Sequence, residues 1–308
     1  MKENKTISNS TSFALASKVK DYFQLIKFTL SFMVVFSTVV SFLIAPFELI
    51  YVRPTLLSVL LLFVAGICIT GSANTINQVL EKETDALMKR TATRPVASGR
   101  MSASEAWIFA FLTGMIGVGM MWYFFNFSSA MVGLVSLLLY GFIYTPLKKV
   151  NSIAVLVGAI PGALPCLIGW VAATDSFSLG GWILFGIQFL WQFPHFWAIA
   201  WIAHEDYSRA GFKLLPSDKG PTRFTALQTV MYSAMMIPVG ILPYLFHMSG
   251  QTSMWIVLVC NLWMLYASIM LFMKMDKGSA RLVMFSSYFY LMIVLLSLYA
   301  DRIKPLMD

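Results

Sequence analysis

The sequence predicts an all-α integral membrane protein, a bundle of about nine transmembrane helices around a cytoplasm-facing cavity, and three observations predict it. Hydrophobic residues make up 58% of the 308 and charged residues only 12%, with a mean hydropathy of +0.75, so there are too few charges to cover a soluble globule of this size. Apolar windows of about twenty residues, the length that crosses a hydrocarbon core, recur about nine times. When these windows are threaded alternately, 19 of the 22 lysines and arginines fall on one side and only Arg53, Arg302 and Lys304 on the other.

In chain order, residues 1–24 form a polar segment placed in the cytoplasm, followed by a span too long and too poorly flanked for a cleaved signal peptide. The windows run near Leu25 to Ala45, Leu56 to Val79, Ala106 to Phe125, Ala130 to Tyr144, Ile153 to Ala173, Trp182 to Ala203, Ala226 to Phe246, Met254 to Met273 and Leu282 to Tyr299. Residues 25–300 thus make one membrane domain and 301–308 a short outer tail. The formal charge of +8 does not indicate nucleic acid, because the basic residues lie between apolar spans and form no continuous patch. Cys68, Cys166 and Cys260 each sit inside a span with no paired spacing, which implies packing and no disulfides. The expected setting is a bacterial inner membrane, multi-pass, with the N-terminus and the chemistry on the cytoplasmic side.

The second window ends in NTINQVLEKETDALMKRTATRP. On a helix Asn77, Glu81 and Asp85 stand at i, i+4 and i+8, so three oxygen-bearing side chains share a face, and Lys89 extends it by one turn. Carboxylates aligned at the mouth of an apolar helix repel each other unless a cation lies between them, and hard oxygens suit Mg²⁺, which binds through one or two carboxylates plus substrate phosphates. Arg90 and Arg94 add planar donors for an anion. The competing reading of this triad alone is a solvated helix end with ordinary surface ion pairs.

The sixth window repeats the order of acids followed by bases. Glu205 and Asp206 cap it, and Arg209 and Lys213 follow. Two facing acidic helix ends can hold Mg²⁺ ions that bridge to a diphosphate gripped by the bases, which favours cleavage of an allylic C–O bond, while the bilayer region supplies an apolar slot for an isoprenoid tail. This is prenyl-transfer chemistry. Deeper in the same window lies His195 of QFPHFW, eleven residues before Asp206 and therefore about three turns away on the same face. It is either a packing histidine or, with Pro194 opening the helix beside it, part of a cavity. At the end of the fourth window YTPLKK puts Tyr144 and Lys148 at i, i+4, either as an interfacial tyrosine with topology lysines or as a diphosphate contact. The fifth window carries Gly158, Pro161, Gly162 and Pro165, the composition of a broken or closely packed helix lining a cavity. Trp170, Trp191, Trp197 and Trp201 either wall a flat substrate or serve packing.

These motifs, in this order and over nearly the whole chain from Lys27 to the last span, resemble the UbiA superfamily of intramembrane prenyltransferases. Glu81 where most branches carry Asp, together with WQFPHF, YTPLKK and HEDYSRAGFKLLP, is similar to the branch that acts on haem. The resemblance implies a nine-helix bundle moving a farnesyl group from farnesyl diphosphate to a vinyl group of haem b with addition of water. The product would be haem o, Mg²⁺ the metal, and a terminal oxidase or a haem-modifying enzyme the downstream partner. Asn77, Glu81 and Asp85 take the metal–diphosphate role by motif match, Lys89, Arg90 and Arg94 the anion role, and Tyr144 with Lys148 the tyrosine-lysine diphosphate motif. Ala203 stands where the wider superfamily has an Asp, which leaves Glu205 and Asp206 as the acids of the second motif. His195 is the candidate for contacting haem, either at iron or as the base that activates water.

Two rivals follow from the same residues. A sister prenyltransferase acting on an aromatic quinone precursor would use the same diphosphate machinery without a deep histidine. A cation- or proton-coupled transporter would explain intramembrane acids but not the bases that follow each acidic cluster on one face.

Overall fold

The computed structural model describes residues 17–217 and 219–303. Residues 1–16 of the N-terminal segment, with Lys2 and Lys5, and residues 304–308 of the tail, with Lys304, lie outside the described residues.

Helices follow the apolar windows, extended at their ends by capping side chains. The first span is two helices, α1 (Ser17–Leu25) and α2 (Phe28–Ile44), bent by 48° at Lys27, whose backbone is left-handed at φ 48°. Such a conformation costs a non-glycine residue about 1 kcal/mol or more, and its effect is to turn the Lys27 side chain inward. A capping box between Thr55 and Ser58 starts α3 (Leu56–Leu80), which stops where Glu81 leaves helical geometry before the short α4 (Lys82–Leu87). Ser102 caps α5 (Ala103–Phe124), and Asn126 caps α6 (Phe127–Leu147) by accepting the Ser129 N–H at 2.7 Å.

The fourth sequence window ends at Tyr144, before Pro146. The structure continues it through a π turn at Leu139–Tyr144, where the Thr145 N–H reaches the Tyr140 carbonyl five residues back. After it come α7 (Ala154–Thr174), α8 (Leu179–Ile202), the short α9 (His204–Arg209), α10 (Arg223–Leu245), α11 (Gln251–Lys274) and α12 (Lys277–Ala300). Among the described residues eight helices are long and apolar enough to span a membrane, and the bent α1–α2 pair makes a ninth. Among the described residues there is no strand.

α7 is the most buried span and packs against α2, α6 and α8. It is closely packed rather than broken: Pro161 and Pro165 lie inside one continuous helix, and Gly169 lets its backbone rest on the Thr38 carbonyl of α2. On the far side, polar pairs tie α10, α11 and α12. Asn261 donates to the Met236 carbonyl at 3.1 Å and accepts from the Tyr290 hydroxyl at 2.7 Å, while Ser233 and Ser268 lie 2.8 Å apart. Each such bond is worth about 0.6 kcal/mol in an apolar surround. Between these two halves, at the end where α3, α6 and α8 finish, the bundle opens.

Candidate active site

The opening is a cavity of about 310 Å³ whose wall includes Lys27, Asn77, Glu81, Asp85, Arg90, Arg94, Tyr144, Lys148 and His195. Their elements explain why they meet. Asn77 lies in the last turn of α3, Glu81 in the break and Asp85 in α4, so the break leaves all three aimed at one chamber. Each is matched by a basic group from elsewhere in the chain. Lys27 donates through Nζ to Asn77 Oδ1 at 2.9 Å, and Lys148 donates to Glu81 Oε1 at 2.9 Å, both partners of the latter pair being nearly buried. Arg94 donates through Nη1 to both oxygens of Asp85 at 2.7 and 2.8 Å. Burial pushes the Asp85 carboxyl above its usual value, and the Arg94 charge pulls it part of the way back.

Arg94 sits on a braced loop. Thr91 donates through Oγ1 to the Asp85 carbonyl at 2.8 Å, and Arg100 ties the loop's far end to Asp21 of α1 through Nε at 3.0 Å. Arg90 reaches across the chamber mouth to the Tyr207 hydroxyl at 3.0 Å. Tyr144 enters from the π turn, and its ring lies against Gly158 of α7, where any Cβ would stand 2.5 Å from two ring carbons. Lys148 Nζ lies over that ring, 4.6 Å from its centre.

The second acidic cluster does not reach the chamber, which corrects the expectation that Glu205 and Asp206 hold metal there. α8 ends at Ile202, and Ala203, at φ −94° and ψ 15°, breaks the helix before α9. From α8 and α9 the chamber is lined by His195, Phe196, Ile199 and Tyr207, and position 203, four residues from both Ile199 and Tyr207, is occupied by alanine. Glu205 instead accepts from Lys277 of α12 at 2.8 Å, and that ammonium holds its carboxyl below the usual range. Asp206 pairs with Arg209 on the surface. The three-turn relation between His195 and Asp206 fails for the same reason. Lys89 also misses the chamber wall, because α4 ends at Leu87 and Met88 is extended, so the face from Asn77 to Asp85 is not continued. Lys213 is exposed outside the wall, and its backbone N–H donates to the Lys148 carbonyl at 2.7 Å.

On the opposite wall His195 stacks on Trp191, with ring centres 4.9 Å apart and an 18° tilt, and meets the edges of Phe196 and Tyr288. A narrower apolar recess lies between α2, α3, α6 and α7, lined by Leu62, Ile69, Leu137 and Ile168 among others, and it shares Leu30 and Tyr140 with the polar chamber. Sequence reading gives no role to Lys27, Tyr140, Tyr207 or Tyr288, which all line the chamber. Tyr140 carried a usable signal, since Tyr140, Tyr144 and Lys148 recur at four-residue steps. Lys27 looked like one more topology lysine, and only the bend behind it brings it inside.

The chamber's donors fit magnesium. Glu81 and Asp85 supply hard carboxylate oxygens on one wall, and Glu81 Oε2 has no hydrogen-bond partner among the described residues. One ion bound through these carboxylates and substrate phosphates suits this set. A second carboxylate-held ion has no matching acids across the chamber among the described residues.

The family model described as UbiA prenyltransferase family matches residues 34–293. The chain is 42% identical over 289 residues to a protoheme IX farnesyltransferase of Cytophaga hutchinsonii, covering 94% of this chain and 100% of that protein. It is 39% identical to one of Flavobacterium psychrophilum, covering 94% and 96%. Among solved structures it resembles one described as giving insight into digeranylgeranylglyceryl phosphate synthase in membranes, with TM-score 0.75, 21% identity and coverage of 92% and 98%. It also resembles a UbiA homologue from Archaeoglobus fulgidus bound to GPP and Mg²⁺, with TM-score 0.63, 15% identity and coverage of 90% and 99%. At these identities the structural likeness concerns the fold.

Proposed function

The chain belongs to the UbiA prenyltransferase family, and we propose that it transfers the farnesyl group of farnesyl diphosphate to a vinyl group of haem b, with addition of water, giving haem o and diphosphate. The observation that carries this reading is the meeting of two environments: a chamber of paired acids and bases beside an apolar recess with which it shares Leu30 and Tyr140, with a histidine in an aromatic shell on the facing wall. The named relatives supply the identity of donor and acceptor.

In this reading the diphosphate lies among Arg90, Arg94 and Lys148, with Lys27 and Tyr144 beside it, and the isoprenoid tail runs past Tyr140 into the recess. Glu81 and Asp85, with Asn77 next to them, hold Mg²⁺, which supplies positive charge to the leaving diphosphate. As the allylic C–O bond breaks, the guanidinium groups and the Lys148 ammonium take up the negative charge that develops on oxygen. Tyr140, which lines both the chamber and the recess with its ring centre 5.3 Å from that of Tyr144, stands where the tail meets the chamber, and its ring favours the allylic cation. The vinyl carbon of haem captures that cation, and water adds to the resulting haem-side cation with loss of a proton. His195 holds the haem against this end of the chamber. The site faces the cytoplasm across a bacterial inner membrane, in keeping with the one-sided distribution of basic residues.

The test is an incubation of the purified full-length protein in lipid nanodiscs with farnesyl diphosphate, haem b and Mg²⁺. Haem o and diphosphate should appear in equal amounts, and EDTA should stop both. Transfer to 4-hydroxybenzoate with none to haem would replace this acceptor with an aromatic quinone precursor.

A further inference from the structure

The contacts behind His195 determine which of its nitrogens carries the proton. Its Nδ1 lies 2.7 Å from Ser287 Oγ on α12, and the same Oγ lies 2.6 Å from the Met284 carbonyl oxygen one turn earlier. Two oxygens at 2.6 Å repel unless a proton lies between them, and a carbonyl has none to give, so the single hydroxyl proton of Ser287 is committed to Met284. The contact to the imidazole must then be an Nδ1–H donating to Oγ. A neutral imidazole has one N–H, and this ring sits in an aromatic shell with no carboxylate among the described residues hydrogen-bonded to it, so Nε2 is left with a bare lone pair.

Ser287 also fixes the plane of the ring. Its backbone carbonyl accepts the Trp191 indole N–H at 2.8 Å, and Trp191 is the ring on which His195 stacks. One residue on α12 thus sets both the orientation of the imidazole and its tautomer, and His195 is among the residues that line the chamber.

We infer that Ser287 is a positioning residue that locks His195 as the Nδ1–H tautomer, so that Nε2 donates its lone pair to the iron of the haem substrate. The inference rests on haem being the acceptor. The bond formed is dative, from nitrogen to iron, and no proton or electron is transferred. It also decides between the two roles open to His195: a nitrogen bound to iron is not the base that activates water. A hydrogen-bond acceptor behind a metal-binding histidine fixes its orientation and raises its basicity, and removing one typically weakens metal binding by about 10- to 100-fold.

The first measurement needs no haem. Histidine labelled with ¹⁵N in the full-length protein has three contributors, and the His195 signals are those missing from His195→Ala. The expected result is a protonated Nδ1 and an unprotonated Nε2, and the opposite tautomer overturns the inference whatever the acceptor proves to be. The second is titration of the nanodisc protein with ferric haem b, followed by optical and electron paramagnetic resonance spectra. Wild type should show an imidazole-bound haem and His195→Ala should lose that signature. Ser287→Ala should bind haem about 10- to 100-fold more weakly with an altered spectrum, and Ser287→Thr, which restores a hydroxyl, should recover it. Retained binding of a non-hydrolysable farnesyl diphosphate analogue shows that each variant is folded. A Ser287→Ala protein with the wild-type spectrum and affinity overturns the role of Ser287. A wild type that binds no haem removes the acceptor reading and this inference with it.

Discussion

Gly158→Ala should slow haem o formation by about 100-fold while leaving the bundle folded. The added Cβ would stand 2.5 Å from Cδ2 and Cε2 of Tyr144 and 3.1 Å from Cγ. Carbon atoms in contact rest about 3.5 Å apart, so the ring must retreat by about 1 Å. Gly158 belongs to the closely packed α7 and the ring to the π turn of α6, so the ring is the part that moves, toward Tyr140 and Lys148. A displacement of about 1 Å in a group that positions substrate costs up to about 100-fold in rate, whereas overpacking of this size costs about 1–3 kcal/mol of stability. The assay is steady-state turnover with a thermal melt on the same preparation. In a Tyr144→Ala background the new methyl has room, so Gly158→Ala should then cost almost no further melting temperature. Wild-type turnover in Gly158→Ala, or an undiminished stability loss in the Tyr144→Ala background, would refute the reasoning.

Asp85→Ala should eliminate turnover and the Mg²⁺-dependent binding of a farnesyl diphosphate analogue, read by calorimetry with and without EDTA; unchanged Mg²⁺ dependence would count against Asp85 as a ligand. Lys148→Met strands the Glu81 carboxylate, 4% exposed, and should destabilise the protein by about 3 kcal/mol in denaturant melts, with Lys148→Met/Glu81→Gln recovering most of it. His195→Ala should abolish haem o formation and leave diphosphate-analogue binding intact, and normal turnover there would remove His195 from the mechanism. Glu205→Gln should leave turnover and its Mg²⁺ dependence unchanged, because Glu205 pairs with Lys277 outside the chamber; a lost Mg²⁺ response would restore it to the site. That carboxyl is held below its ordinary pKa of 4.5 by Lys277, so the pairing it provides is complete above that pH and is lost as the pH falls. Melts taken in acid should therefore show a smaller pH-dependent fall in Glu205→Gln than in wild type.

Much of the site was legible because it is written in local spacing. Asn77, Glu81 and Asp85 at four-residue steps do share a chamber, and Tyr144 and Lys148 line it with them, Lys148 against Glu81. The pairing of charges was not legible. Lys27 meets Asn77 across 50 residues and Lys148 meets Glu81 across 67, and no periodicity connects positions that distant. In sequence Glu205 and Asp206 look like a second copy of the first cluster because both spans end in acids followed by bases. That order places them at the same end of the bundle and says nothing about which way they turn.

By itself the sequence determined the number of spans, their alternation and the end of the bundle that carries charge, because burial of apolar length and the placement of basic residues act on each segment separately. Only the tertiary structure decided which side chains enter the chamber. A helix turns by about 100° per residue, so a single departure from its register, at Lys27, Glu81, Ala203 or the π turn before Thr145, redirects every side chain beyond it. Those departures are held in place by neighbouring helices rather than by the residues that make them.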